Sequence, residues 1–180
     1  MNQSIINQGF TCWLTGLSGA GKSTIATEIS KALNILSVPC EILDGDVIRK
    51  HISNDLGFSP KDRETNVLRV GYICSLLNKH GINVVVALIS PYNETREKVR
   101  NSLKNFVEIY VDCPLEECIK RDPKGLYIKA LSGEINEFTG ISSPYESPVK
   151  PEIVLRTNKE GTTQCVDTIM KYLQSKKLID

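Results

Sequence analysis

The chain has 180 residues, enough for one domain whose core needs no disulfide or metal staples. Its 22 Lys and Arg against 21 Asp and Glu leave a formal net charge of +1. No overall field therefore draws it to nucleic acid or to a membrane surface, and an anionic ligand must be held by local positive groups. The six cysteines (Cys12, Cys40, Cys74, Cys113, Cys118 and Cys165) lack C-x-x-C pairing and mostly lie in apolar patterns. They read as small buried hydrophobes in a reducing compartment rather than as a disulfide framework or a zinc site.

Residues 1–9 show no basic segment followed by an apolar run, and the longest apolar run, 84–89, is far too short to cross a bilayer. The expectation is a soluble, cytoplasmic protein. Residues 10–15 read as a short buried strand. Gly16, Leu17, Ser18, Gly19, Ala20, Gly21, Lys22, Ser23 and Thr24 follow, matching G-x-x-x-x-G-K-[ST]. In that motif backbone N–H groups cradle the phosphates of a nucleoside triphosphate, Lys22 reaches the β- and γ-phosphates, and the Ser23 hydroxyl ligates Mg²⁺. An ordinary Gly-rich turn is the competing reading. It is disfavoured because a strand precedes the loop and Ile25, Ile29, Ala32, Leu33 and Leu36 follow on one helical face.

A second strand is expected at 40–43, ending in Asp44, Gly45 and Asp46, and then a polar loop containing Gly57 and Pro60. Val67, Val70, Gly71, Cys74 and Leu77 mark a helix from Asp62 to about His80. Residues 84–89 are apolar on both faces, as in an interior strand of a parallel sheet. A helix at 94–103, a strand at 106–111 and a helix at 115–121 entered through Pro114 come next. Residues 122–151 break the pattern with Gly125, Gly133, Gly140, Pro144, Pro148 and Pro151, and a short helical piece in the middle; a segment of this kind is usually a lid or binding loop. A strand at 153–155 and an amphipathic helix carrying Val166, Ile169, Met170 and Leu173 close the chain. This alternation predicts one α/β domain over 1–180: a three-layer fold of the P-loop nucleoside-triphosphate hydrolase type, with a mostly parallel sheet and helices on both faces. Functional loops would gather at the carboxyl ends of the strands.

Beyond the phosphate loop, five segments in this order resemble the adenylyl-sulfate kinase (APS kinase) family: 43–46, 57–66, 89–92, 122–127 and 138–141. The resemblance covers residues 10–155. It implies transfer of the γ-phosphate of ATP to the 3′-hydroxyl of adenosine 5′-phosphosulfate (APS), with Mg²⁺, in a homodimer. Asp44 and Asp46 end a strand beside the loop, so one could hold the metal through water and the other accept the hydroxyl proton. Two solvated carboxylates at a tight turn are the alternative, and Asp112, at another strand end, competes as the metal-side acid. By family position Arg49, Arg63 and Asn66 face the sulfate-phosphate end of the acceptor, where a guanidinium fork suits paired anionic oxygens. Phe58 and Phe138 sandwich its adenine, although core packing is the usual fate of a phenylalanine. Ile89 and Ser90 lie against the acceptor. The family pattern marks Ser90 as a phosphoserine-type position, but no His lies nearby to activate it, so hydrogen bonding to the acceptor is the preferred role. Lys124, with Arg121 and Lys129, gives the lid positive charge over the transferring group. Leu131, Ser142 and Ser143 depart from the family pattern. The rival from another class is a GTP-dependent switch, which needs Asn-Lys-x-Asp; residues 158–161 begin that way but end in Gly161.

Overall fold

The computed structural model describes residues 8–180, so the reading of 1–9 as free of a leader falls largely outside the described residues. Five strands form one sheet: β1 (Thr11–Thr15), β2 (Cys40–Asp44), β3 (Asn83–Ala87), β4 (Phe106–Asp112) and β5 (Ile153–Arg156). All pairings are parallel, in the order β2-β3-β1-β4-β5. Every residue of β1 and β3 is buried, which is why both read as apolar runs rather than as alternating strands.

The alternation of side chains across the sheet divides the core in two. Cys12, Leu14, Val85, Val107 and Ile109 meet helices α1 (Lys22–Ile35) and α7 (Thr162–Ser175). Trp13, Val84 and Val86 point the other way, onto α3 (Pro60–Lys79) and α4 (Asn93–Ser102). Helices α5 (Leu115–Arg121) and α6 (Leu126–Leu131) join the first layer through Cys118, Tyr127 and Ala130. The three-layer α/β expectation is met, with a sheet that is wholly parallel.

Several local expectations change. The polar loop after Asp46 begins with a helix, α2 (Gly45–His51), capped by the Asp44 carboxylate, which accepts from the Asp46 N–H at 2.9 Å. Seven residues are too few for apolar periodicity to announce it. Helix α3 starts at Pro60 because Ser59 caps it, accepting from the Asp62 N–H at 3.2 Å. Pro114 caps α5 from outside rather than entering its first turn. Leu36 is exposed past the end of α1. The helical piece of the 122–151 segment lies towards its start rather than its middle. The expectation that the cysteines pack as small buried hydrophobes holds for five of the six free thiols, while Cys40 is half-buried on the edge strand.

Helices α3 and α4 approach closely at Gly71, where an added Cβ would lie 2.9 Å from a Val99 methyl. Gly71→Val should therefore cost about 1–3 kcal/mol by overpacking. Urea melts of wild type and variant measure it; equal midpoints would show that the α3–α4 contact yields freely.

Candidate active site

Strand β1 delivers the phosphate loop to the middle of the sheet's carboxyl edge, and α1 starts at its far end. Gly21, the residue capping α1, sits at φ 103°, a left-handed backbone that a Cβ would strain. This geometry leaves the first N–H groups of a 14-residue helix facing the cleft, where the helix dipole adds positive potential. The Lys22 ammonium turns back into the loop, donating to the carbonyls of Gly16 at 2.8 Å and Leu17 at 2.6 Å. Burial pushes its pKa down to about 8, while Asp44 and Asp46 oppose the shift.

Ser23 donates to the Asp44 carboxylate at 2.6 Å, joining α1 to the tip of β2. A hydroxyl beside a carboxylate is the oxygen donor set that a hard divalent cation takes alongside phosphate and water oxygens. Among the described residues no cluster of three or more His, Cys, Asp or Glu could cage a metal, so such a cation would lean on its substrate. Asp46 is ion-paired with Lys124 from the 122–151 segment, across the mouth of the site. Asp112 lies outside this cleft and borders a shallower groove behind the loop.

One cleft of about 1100 Å³ joins the phosphate loop to the predicted acceptor residues. Arg49, Phe58, Arg63, Asn66, Ile89, Ser90, Lys124 and Phe138 all line it. They come from α2, the loop before α3, α3, the turn after β3 and the 122–151 segment. Phe58 is 57% exposed, with the Arg49 guanidinium 4.8 Å from its ring centre. Phe138 is only 9% exposed and packs edge-on against Tyr127 at 5.0 Å, so it is a core residue that shows one side to the cleft. Arg63 is buried, and its guanidinium is already spread over the Phe58 carbonyl at 2.7 Å, the Thr139 hydroxyl at 2.6 Å and the Glu137 carbonyl. It ties α3 to the 122–151 segment. Asn66, one turn of helix further on, buries a side-chain oxygen that has no protein donor and lines the cleft.

Ser90 lies beyond β3 at φ 40°, in a region costing a non-glycine residue about 1–2 kcal/mol. Its hydroxyl accepts from the indole N–H of Trp13 at 3.0 Å. No basic side chain among the described residues bonds to it. Lys129 is exposed and Leu131 projects to solvent, both away from the cleft; Ser142 accepts from the Phe138 N–H at 2.9 Å within its own loop.

The sequence reading missed the opposite end of the cleft. Thr157, Glu160, Gly161, Thr162 and Cys165 line it beside Arg121. Thr157 donates to the Ala20 carbonyl at 2.8 Å, and Arg121 donates to the Thr157 carbonyl at 2.8 Å. The loop after β5 is thus bonded onto the phosphate loop and forms the far wall of the cleft. Residues 158–161 drew notice only as a failed guanine-reading motif, because the bonds that seat this loop join residues far apart in sequence.

A phosphate loop at the tip of the central strand of a parallel sheet, a Ser–Asp pair beside it and a deep cleft opening from both define a P-loop kinase. A family model described as adenylylsulphate kinase matches residues 8–156. The adenylyl-sulfate kinase of Synechococcus sp. strain JA-3-3Ab is 49% identical over 93% of this chain and 96% of its own length. That of Chloroflexus aurantiacus is also 49% identical, over 92% of this chain and 89% of its own. Among solved structures, the Mycobacterium tuberculosis APS kinase CysC in complex with AMPPNP and APS superposes with a TM-score of 0.89 at 39% identity, covering 93% of this chain and 98% of that one. The chain belongs to the adenylylsulphate kinase family.

The lowered pKa of Lys22 makes nucleotide affinity pH-dependent. Phosphate binds the ammonium form, which in the free protein is lost as pH rises through about 8. Affinity for ATP should hold below that pH and weaken above it, by up to about tenfold per unit. Lys22→Met should bind weakly with no such slope. Calorimetric titrations from pH 6.5 to 9.5 test this, and a wild-type affinity flat across the range would refute it.

Proposed function

We propose that the protein is an adenylyl-sulfate kinase, transferring the γ-phosphoryl group of ATP to the 3′-hydroxyl of APS to give 3′-phosphoadenosine 5′-phosphosulfate and ADP in sulfate assimilation. The observation that carries this is the single cleft in which the phosphate loop and the Phe58–Arg63–Asn66–Ser90–Phe138 wall face each other. Positioning two anionic reactants in line is most of the catalytic task in phosphoryl transfer.

In this reading Gly16–Thr24 holds the ATP phosphates, with Lys22 turning from its own loop carbonyls to the β- and γ-oxygens. The Ser23–Asp44 pair fits Mg²⁺, which when bound would neutralise charge on those oxygens. Asp44 is thereby committed to the metal side, leaving Asp46 to accept the proton of the attacking 3′-hydroxyl. Asp46 is held by Lys124, so the lysine must exchange that carboxylate for the transferring group as the segment closes. The exposed face of Phe58 suits the acceptor's adenine, the Phe138 edge bounds it, and Arg49 and the free Asn66 oxygen flank the anionic and hydroxyl end. Ser90, its lone pair engaged by Trp13, has a proton left to donate to the acceptor. That supports a binding role over a phosphoserine intermediate.

A homodimer is proposed on family resemblance. A cytoplasmic setting is supported by six free cysteines. No helix among the described residues is long and apolar enough to cross a membrane.

ATP consumption with Mg²⁺ should be stimulated by APS and not by AMP or gluconate. Turnover driven by another acceptor would keep the kinase and discard the substrate. Asp46→Asn should lower kcat by about 10²–10⁴-fold if Asp46 is the base, with ATP affinity retained. Phe58→Ala should raise KM for APS while leaving KM for ATP within about twofold. A Phe58→Ala enzyme with unchanged APS kinetics would remove Phe58 from the acceptor site.

A further inference from the structure

The Ser90 turn is held from behind by a buried arginine that lines no part of the cleft. Arg96, on the first turn of α4 that faces the sheet, is 2% exposed and forms an ion pair with Glu108 of β4 at 2.8 Å. Its remaining N–H groups donate to the Ser90 carbonyl at 2.5 Å, the Glu146 carbonyl at 2.7 Å and the Asn93 side-chain oxygen. Residue 146 is bonded back to the same turn twice more. Its N–H donates to the Pro91 carbonyl at 2.8 Å, and its carboxylate accepts from the Asn93 N–H at 2.7 Å. The neighbouring Tyr145 hydroxyl meets Thr15 at 3.0 Å, and Thr15 in turn donates to the Ile89 carbonyl at 2.7 Å. The turn after β3, residue 146 and Glu108 of β4 thus close around one guanidinium, and Tyr145 ties the end of β1 to the same group of residues.

We propose that Arg96 is a positioning residue for the acceptor half of the site, holding the left-handed turn at Ser90 so that the Ser90 hydroxyl and the Ile89 main chain keep their place in the cleft. The inference rests on the reading that this wall receives the acceptor. A left-handed serine relaxes unless its surroundings over-determine it. Here the restraint comes from a planar fork that serves four acceptors at fixed angles, which the point charge of a lysine cannot copy. The carboxylate of Glu108 makes the arrangement tolerable by neutralising a charge in the interior. Arg100 provides the internal control. It also pairs with Glu108, at 3.0 Å, and with Glu152, but it makes no bond to Ser90 or Glu146.

The test compares Arg96→Lys with Arg100→Lys. Arg96→Lys should raise KM for APS, or lower kcat at saturating APS, by about tenfold or more while KM for ATP stays within about twofold. Arg100→Lys should leave both constants near wild type, even where its melting temperature falls as far. The chain's single tryptophan gives a readout independent of turnover, because Trp13 donates to the Ser90 hydroxyl. Its emission should shift more in Arg96→Lys than in Arg100→Lys, whose guanidinium reaches Trp13 only through the Phe106 ring. Equal behaviour of the two variants in kinetics and emission, or parallel changes in both KM values, would overturn the proposal. If Arg96→Lys does not fold, Asn93→Ala removes one acceptor of the fork from a half-buried position. A selective rise in KM for APS of about threefold or more then supports the proposal, and unchanged constants with unchanged emission overturn it. A wild type unresponsive to APS would sink the proposed function instead, while the Trp13 comparison would still decide the positioning role.

Discussion

Everything at this site depends on β1 being hydrogen-bonded on both sides. Its register with β3 and β4 fixes the height at which the phosphate loop leaves the sheet, and that height sets every distance across the cleft. Parallel pairing also aligns all the carboxyl ends on one edge, so the tips of β1, β2 and β3 become neighbours although the loop and Ser90 are far apart in sequence. The Ser23–Asp44 bond is a direct product of this alignment. It joins the first turn of one helix to the end of an edge strand, with β3 between β1 and β2.

The two faces of the sheet have different jobs. Cys12, Leu14, Val107, Ile109 and Val111 present an apolar surface to α1 and α7, which anchors the helix that begins at the phosphate-loop motif. The other face carries Thr11, Trp13, Thr15 and Glu108, and each is answered by a partner: Asn78, Ser90, Tyr145 and Arg96. Such a satisfied polar layer specifies one geometry, because slipping it would leave buried groups unpaired. The proposed acceptor wall is built on this face, where that geometry would suit a site that holds one hydroxyl in line with phosphorus.

With a net charge of only +1, attraction for two anionic reactants must be local. Lys22, Arg49 and Lys124 converge on the cleft, while Arg63, which the sequence reading also assigned to anion binding, has its guanidinium engaged by Phe58, Glu137 and Thr139. It lines the cleft, yet much of its hydrogen-bonding capacity goes into tying α3 to residues 137–139. Phe138 shows the same division between core and cleft.

The sequence by itself determined the layered α/β class, the phosphate loop and most element boundaries, since each is encoded locally: glycines where Cβ is excluded, apolar runs where both faces are covered, periodicity where one is. Through segments that resemble a family, it also singled out side chains that the fold brings together in one cleft. Short capped structure such as α2 escaped, because its signal is a single Asp44 side chain bonding two residues on. Only the tertiary structure decided that Asp44 pairs with Ser23 while Asp112 faces elsewhere, that Lys129 is outside the cleft, and that residues 157–165 form its far wall. It alone brought Arg96 beneath Ser90. Those assignments depend on strand order and on which way a side chain leaves the sheet, and both are settled by packing between segments that no local stretch of sequence contains.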